Sequence, residues 1–111
     1  MLTEQEMLTI AKKYMSFISN DTVEIIVIDQ LTIKKSYGNI YYSENKKYFE
    51  TGDFKYHVIT GPFLVEKATG RVVNFGTARA VEFYIDAYEK GILELSLGRY
   101  WYPDTQKHDY L

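Results

Sequence analysis

The sequence predicts an α+β fold: a single domain over residues 1–111, with a mainly antiparallel β-sheet, an N-terminal helix and a second helix packed on one face. Three observations predict it. A capped apolar stripe at helical spacing opens the chain. Two β-rich runs joined by Lys67-Ala68-Thr69-Gly70 form a hairpin in its middle. A second helical stripe follows that hairpin, and alternating leucines come after it. No repeat, linker or low-complexity segment interrupts this order, which suits one sheet covered by helices. A chain of 111 residues fits one domain with a small core.

Thr3 and Glu6 have the spacing of a capping box, in which each side chain accepts from the other residue's amide, and Leu2 and Met7 stand at the flanking staple positions. Met7, Ala11, Tyr14, Met15 and Ile18 follow at helical spacing, so residues 4–18 are expected to be an amphipathic helix ended by Ser19-Asn20-Asp21. The β-branched run within residues 22–28 disfavours helix and predicts a strand buried on both faces. Strand character is expected to continue to Ile33, with a bulge near Asp29-Gln30. Residues 34–39 read as a turn containing Gly38, residues 40–43 as a second strand, and Tyr48–Glu50 as its continuation or a short third strand. Residues 51–60 read as a loop. Phe63–Val65 and Arg71–Phe75 form the hairpin, with Gly70 free to take a left-handed conformation. Thr77 is placed to cap a second helix whose stripe is Val81, Tyr84, Ile85 and Tyr88, and Gly91 to end it. Leu93, Leu95 and Leu97 alternate with Glu94 and Ser96 as in a strand. The last segment starts aromatic at Tyr100–Tyr102 and reads as a polar tail over residues 103–111.

Composition narrows the function classes. The net charge of −2 is too mild to draw the chain to nucleic acid. With no cysteine, disulfides, thiolate catalysis and the common structural zinc sites are excluded. No apolar run reaches the ~18 residues of a membrane span, and the acidic N-terminus has no signal-like apolar core, so a cytoplasmic protein without membrane partners is expected. The 16% aromatic content supplies core volume and the residue types that favour interfaces.

The residues offer little chemistry. His57 and His108 are the only histidines. A catalytic histidine needs an orienting carboxylate and a nucleophile; Asp53 lies near His57, but no Ser or Cys accompanies it, so His57 reads as an exposed loop residue and His108 as a solvated one. Glu44, Glu50 and Asp53 would pair as acid and base only if burial split their pKa values, and Thr51 and Asp53 more simply bond their own turn. Gly61-Pro62 lacks the Lys-Ser/Thr and the helix of a phosphate loop. Lys34-Lys35 and Lys46-Lys47 suit solvated strand ends. No catalytic residue, metal ligand or cofactor is expected. For partner binding, two segments stand out by residue type. The first is Asp53–Val58 with Phe54, Tyr56 and His57, flanked by Glu44 and Glu50. The second is Tyr100-Trp101-Tyr102 after Arg99, either a binding face or a segment that closes the core.

The segment Tyr48–Tyr88 also resembles the bacterial immunity protein 35 family, the YrhB-like proteins. The resemblance rests on Glu50-Thr51-Gly52-Asp53, Gly61-Pro62, Val65-Glu66-Lys67, Thr69-Gly70, Gly76-Thr77-Ala78, and Tyr84 with Tyr88. With the preceding elements it covers residues 1–91. Glu66 stands where the family has Asp, and Ala80 where it has a helix-opening Pro. The resemblance implies a non-enzymatic protein whose partner is a cognate toxin, neutralised by direct binding. As an alternative, it also covers chaperone-like members that protect other proteins from aggregation. Whether the chain acts as a monomer or a homodimer stays open.

Overall fold

Thr3 starts the first helix as its spacing requires. Its hydroxyl accepts from the Glu6 amide while the Glu6 carboxylate accepts from the Thr3 amide, and α1 runs Glu4–Ile18 with Met7, Ala11, Tyr14 and Met15 buried. The remaining elements are β1 (Ile25–Val27), β2 (Ile33–Lys35), β3 (Gly38–Tyr41), β4 (Ser43–Asn45), α2 (Lys46–Thr51), β5 (Phe63–Glu66), β6 (Val72–Asn74), α3 (Val81–Glu89), β7 (Tyr100–Tyr102) and β8 (Lys107–Asp109). The computed structural model describes residues 1–109. Six strands form one antiparallel sheet in the order β2-β3-β5-β6-β7-β8, and β1 pairs with β4 in a separate two-stranded ribbon.

Register explains the core. Asn39, Val65, Val72, Trp101 and His108 are successive partners across one side of the sheet, and Ile40, Leu64, Val73 and Tyr100 across the other. The side chains of neighbouring residues on a strand point to opposite faces. The first side packs beneath α1 with Met7, Ala11, Tyr14 and Met15. The second packs against Tyr84 of α3, flanked by Val81, Ile85 and Tyr88. The α+β class therefore holds, while the two helices are divided between the faces rather than sharing one. Both faces are covered, so β5 and β6 read as unbroken apolar runs, Phe63-Leu64-Val65 and Val72-Val73, instead of alternating.

Several expectations are corrected. The β-branched run yields only the three residues of β1, and Ile26, Val27 and Ile28 are half-exposed because a two-stranded ribbon can cover only part of them. In place of a bulge, Asp29–Leu31 makes a 3-10 turn between β1 and β2. Tyr48–Glu50 lies in a helix, since the Asn45 side chain caps the Lys47 amide and Gly52 ends α2 at φ 70°. Thr77 does not cap α3; Ala80 occupies that position with no side-chain bond, and Tyr84 in the first turn stacks on Phe75 with 5.9 Å between ring centroids. Residues 92–97 form no strand. The sheet position beside β6 belongs to β7, and the Ile92 amide turns back to the Ala87 carbonyl. Residues 103–106 are a turn leading to β8, which completes the sheet where a polar tail was expected; Tyr110 and Leu111 of that tail lie outside the described residues. The 63–75 hairpin stands as expected, with Gly70 at φ 78°.

Candidate partner-binding site

The segment after β4 folds into a small unit built around a buried carboxylate. Glu44 is 8% exposed. Its Oε1 accepts from the Asn45 and Val58 amides at 2.9 and 3.0 Å, and its Oε2 lies 2.8 Å from Nδ1 of His57. Burying a carboxylate is costly unless it is bonded in this way. The next residue adds a second tie: Asn45 Nδ2 donates to the Tyr56 carbonyl at 2.8 Å. Asp53 caps the 3-10 turn Phe54–Tyr56 by accepting from the Lys55 amide. Thr60 Oγ1 donates to the Ser43 carbonyl at 2.9 Å. The loop from residue 53 to residue 60 is thus fastened to β4 at Tyr56, His57, Val58 and Thr60.

An aromatic cluster rides on this frame. His57 stacks on Phe54 with centroids 5.2 Å apart and lies 5.1 Å from Tyr48. Lys47 and Lys55 each sit 5.1 Å from the Tyr56 ring, a cation–π arrangement. Outward, the unit presents Phe49 at 52%, Phe54 at 74% and Ile59 at 81% exposure. Glu50 is exposed on α2 beside them.

Of the sequence-predicted residues, Glu44, Glu50, Asp53, Phe54, Tyr56 and His57 therefore share one unit. Glu44 is its buried anchor, not a surface group, and His57 is tied to it rather than standing alone. The contact of Glu44 Oε2 with Nδ1 orients the His57 ring. Tyr100, Trp101 and Tyr102 lie elsewhere, in β7 of the main sheet. Trp101 is fully buried, 4.9 Å from the Tyr14 ring, so it closes the core. Tyr100 is half-buried beneath the Arg71 guanidinium at 4.2 Å. Tyr102 alone of the three is at the surface. His108 is not simply solvated: its Nε2 lies 2.9 Å from the Tyr14 hydroxyl, and burial lowers its pKa. Phe49 and Ile59 were missed as surface residues. The Asn45 cap and Gly52 seven residues later were the available signal for the helix that displays Phe49.

A cleft of about 680 Å³ lies away from this unit, with Tyr37, Glu66, Arg71, Tyr88 and Tyr102 in its walls. Its polar centre is already satisfied. Glu66 accepts from Arg71 Nε and Nη2 at 2.7 and 3.0 Å, from the Tyr88 hydroxyl and from Thr69. Burial pushes the Glu66 carboxyl upward, but the bonds from Arg71 and Tyr88 outweigh it and hold the group below its usual range. With all four lone-pair positions used, this cluster is a fastener between the 63–75 hairpin and α3. No group of three His, Asp or Glu side chains able to hold a metal ion occurs among the described residues, and no helix among them is long and apolar enough to cross a membrane. No protein-family model matches the chain, and no curated protein or solved structure matches it.

Proposed function

We propose that this protein is a non-enzymatic immunity protein that binds a cognate bacterial toxin in the cytoplasm and neutralises it by covering its working surface, with the α2 unit as the contact face. One observation carries the placement: Phe54 and Ile59 are presented to solvent on a loop already immobilised by Glu44 and Asn45, beside exposed Phe49 on α2. Aromatic anchors are the side chains that dominate binding hot spots, and a loop ordered before binding forfeits less entropy when it docks. Exposed Glu50 and Asp53 stand at the rim with exposed Lys46, Lys47 and Lys55, a polar border of mixed charge around the apolar side chains. The resemblance to the immunity protein 35 family supplies the class of partner.

The test is affinity capture from the source cells with tagged protein. A single stoichiometric partner that is toxic when expressed alone is the expected result. Phe54→Ala should then weaken that complex by about 2 kcal/mol, roughly thirtyfold, while leaving the fold unchanged because the ring is mostly in solvent. Unchanged affinity in Phe54→Ala and Phe49→Ala together would remove the α2 unit from the interface. A chaperone-like role is the second reading, favoured by apolar side chains exposed at Ile92, Leu95 and Leu97 on another surface; capture of many partly unfolded proteins would be its mark.

A further inference from the structure

The two carboxylate oxygens of Glu44 have different partners, and the difference reaches the surface through His57. Oε1 accepts from two backbone amides, those of Asn45 and Val58, at 2.9 and 3.0 Å. A backbone amide N–H only donates. Oε2 is left for His57, 2.8 Å from its Nδ1. A carboxylate only accepts, so the ring nitrogen is the donor at this contact and carries the hydrogen. In a neutral imidazole one nitrogen donates and the other accepts, and the bond made by the first decides the character of the second. His57 is thereby held as the Nδ1–H tautomer, and its Nε2 keeps a lone pair.

That lone pair belongs to the exposed side of the ring. The His57 side chain is 33% exposed and that of Glu44 only 10%, so the exposed part of the ring lies away from its Nδ1 edge. Among the described residues the side chain makes one hydrogen bond, the one through Nδ1. Phe54 stacks on the ring and Tyr48 lies against it, with centroids 5.2 and 5.1 Å away. A partner that covers the Phe54 ring therefore takes Nε2 out of water with it. An acceptor removed from water must be met by a donor, or the complex loses affinity.

We propose that Glu44 is a positioning residue that fixes Nε2 of His57 as a hydrogen-bond acceptor on the α2 face, and that the bound toxin meets it with an N–H or O–H donor. This rests on the α2 unit being the contact face and adds the group that the partner brings to it. Phe49, Phe54 and Ile59 reward any apolar surface, whereas one fixed acceptor discriminates against a partner that lacks the donor. A carboxylate at that place would set lone pairs against a lone pair.

Replacing a single oxygen tests the assignment. In Glu44→Gln the two backbone amides still require a carbonyl oxygen, so the amide nitrogen faces His57 and donates to Nδ1. The ring hydrogen then moves to Nε2, and the acceptor becomes a donor without a change of shape. Nitrogen-15 NMR of the free protein, at a mildly alkaline pH where an ordinary imidazole is neutral, should show Nδ1–H in the wild type and Nε2–H in Glu44→Gln. Diethyl pyrocarbonate, which acylates an accessible unprotonated ring nitrogen, should modify His57 readily in the wild type and slowly in Glu44→Gln. Affinity for the toxin captured from the source cells should fall at least about fivefold in Glu44→Gln and in His57→Asn; the latter keeps an amide N–H for Glu44 and lacks the acceptor, so it decides the matter even where Glu44→Gln disturbs the loop. A wild-type ring protonated at Nε2, or one that diethyl pyrocarbonate does not reach, overturns the proposal. So does undiminished affinity in His57→Asn. If Phe49→Ala and Phe54→Ala together still weaken the complex in that case, the α2 face stands and only the His57 acceptor falls. If they do not, the face falls and the acceptor with it.

Discussion

α1 and α3 cover opposite faces of one sheet, but they are held there differently. α1 has 15 residues, a complete capping box and four buried side chains. Its face is apolar and aromatic: Tyr14, Phe63 and Trp101 pack ring against ring. α3 has nine residues, no side-chain cap and only Tyr84 and Ala87 buried. Polar links make up the difference. Tyr88 donates to Glu66, and Tyr37 donates to Glu89 at 2.6 Å, with Lys35 3.7 Å from the same carboxylate. A long amphipathic helix is secured by the area it buries, whereas a short one needs specific bonds. The comparison locates the adaptable side of the molecule. The face held by fewer buried groups is also the face that leads into the exposed segment 92–97.

The largest effect should come from the α1 face. Trp101→Ala removes the largest fully buried side chain and should cost about 3–5 kcal/mol of unfolding free energy. Denaturant melts would measure it. A loss below about 1 kcal/mol would mean that this face is not the principal core. The indole nitrogen of Trp101 has no hydrogen-bond partner, so Trp101→Phe should lose much less than the alanine variant.

Glu66→Ala probes the other face. It strips the charged partner from Arg71 and the acceptor from Tyr88, and should cost about 2–3 kcal/mol, below the figure for a fully buried pair because Arg71 is partly in solvent. Hydrogen exchange would show where the loss falls. Faster exchange in α3 with α1 unchanged sharpens the comparison; equal acceleration in both helices breaks it.

The smallest effect is in pH, and it reaches the faces in order. Burial lowers the pKa of His108, against α1, below the ordinary value of 6.5. The folded state then binds fewer protons than the unfolded one, so this contribution is complete above about 6.5 and is lost as pH falls toward the folded value. Glu66 is held below the ordinary 4.5. Its contribution is complete above that value and is lost as pH falls through the folded one. Stability measured against pH should therefore decline in two stages, with His108→Gln removing the upper stage and Glu66→Gln the lower. A profile unchanged by both substitutions would separate these groups from acid stability.

Local signals in the chain were legible where a single segment contains its own explanation. The Thr3–Glu6 box, the stripe of α1 and the 63–75 hairpin needed no distant partner, and they formed as the sequence predicts. The aromatic loop at residues 53–58 was likewise legible by residue type. Its anchor was not, because Glu44 is thirteen residues from His57 in the chain and only burial against Val58 and Asn45 turns it from a surface acid into a support. The same holds for Tyr100–Tyr102. Aromatic composition marked the segment, but pairing with β6 and β8 decided that Trp101 points inward. Leucines alternating over residues 93–97 looked like a strand because period-two spacing describes a segment's preference, while a strand also needs a free sheet edge beside it.

What the sequence by itself determined is the α+β class, the position of the first helix, the central hairpin and the residue types of the candidate face. Only the tertiary structure decided which side of the sheet each helix covers, that β8 completes the sheet, and that Glu66 and Tyr88 meet across 22 residues. The physical reason is that caps, turns and periodicity are set by neighbours in the chain. The choice of partner is set by competition for buried surface and hydrogen bonds among groups far apart in sequence, and strands covered on both faces carry no alternation to say which side is which.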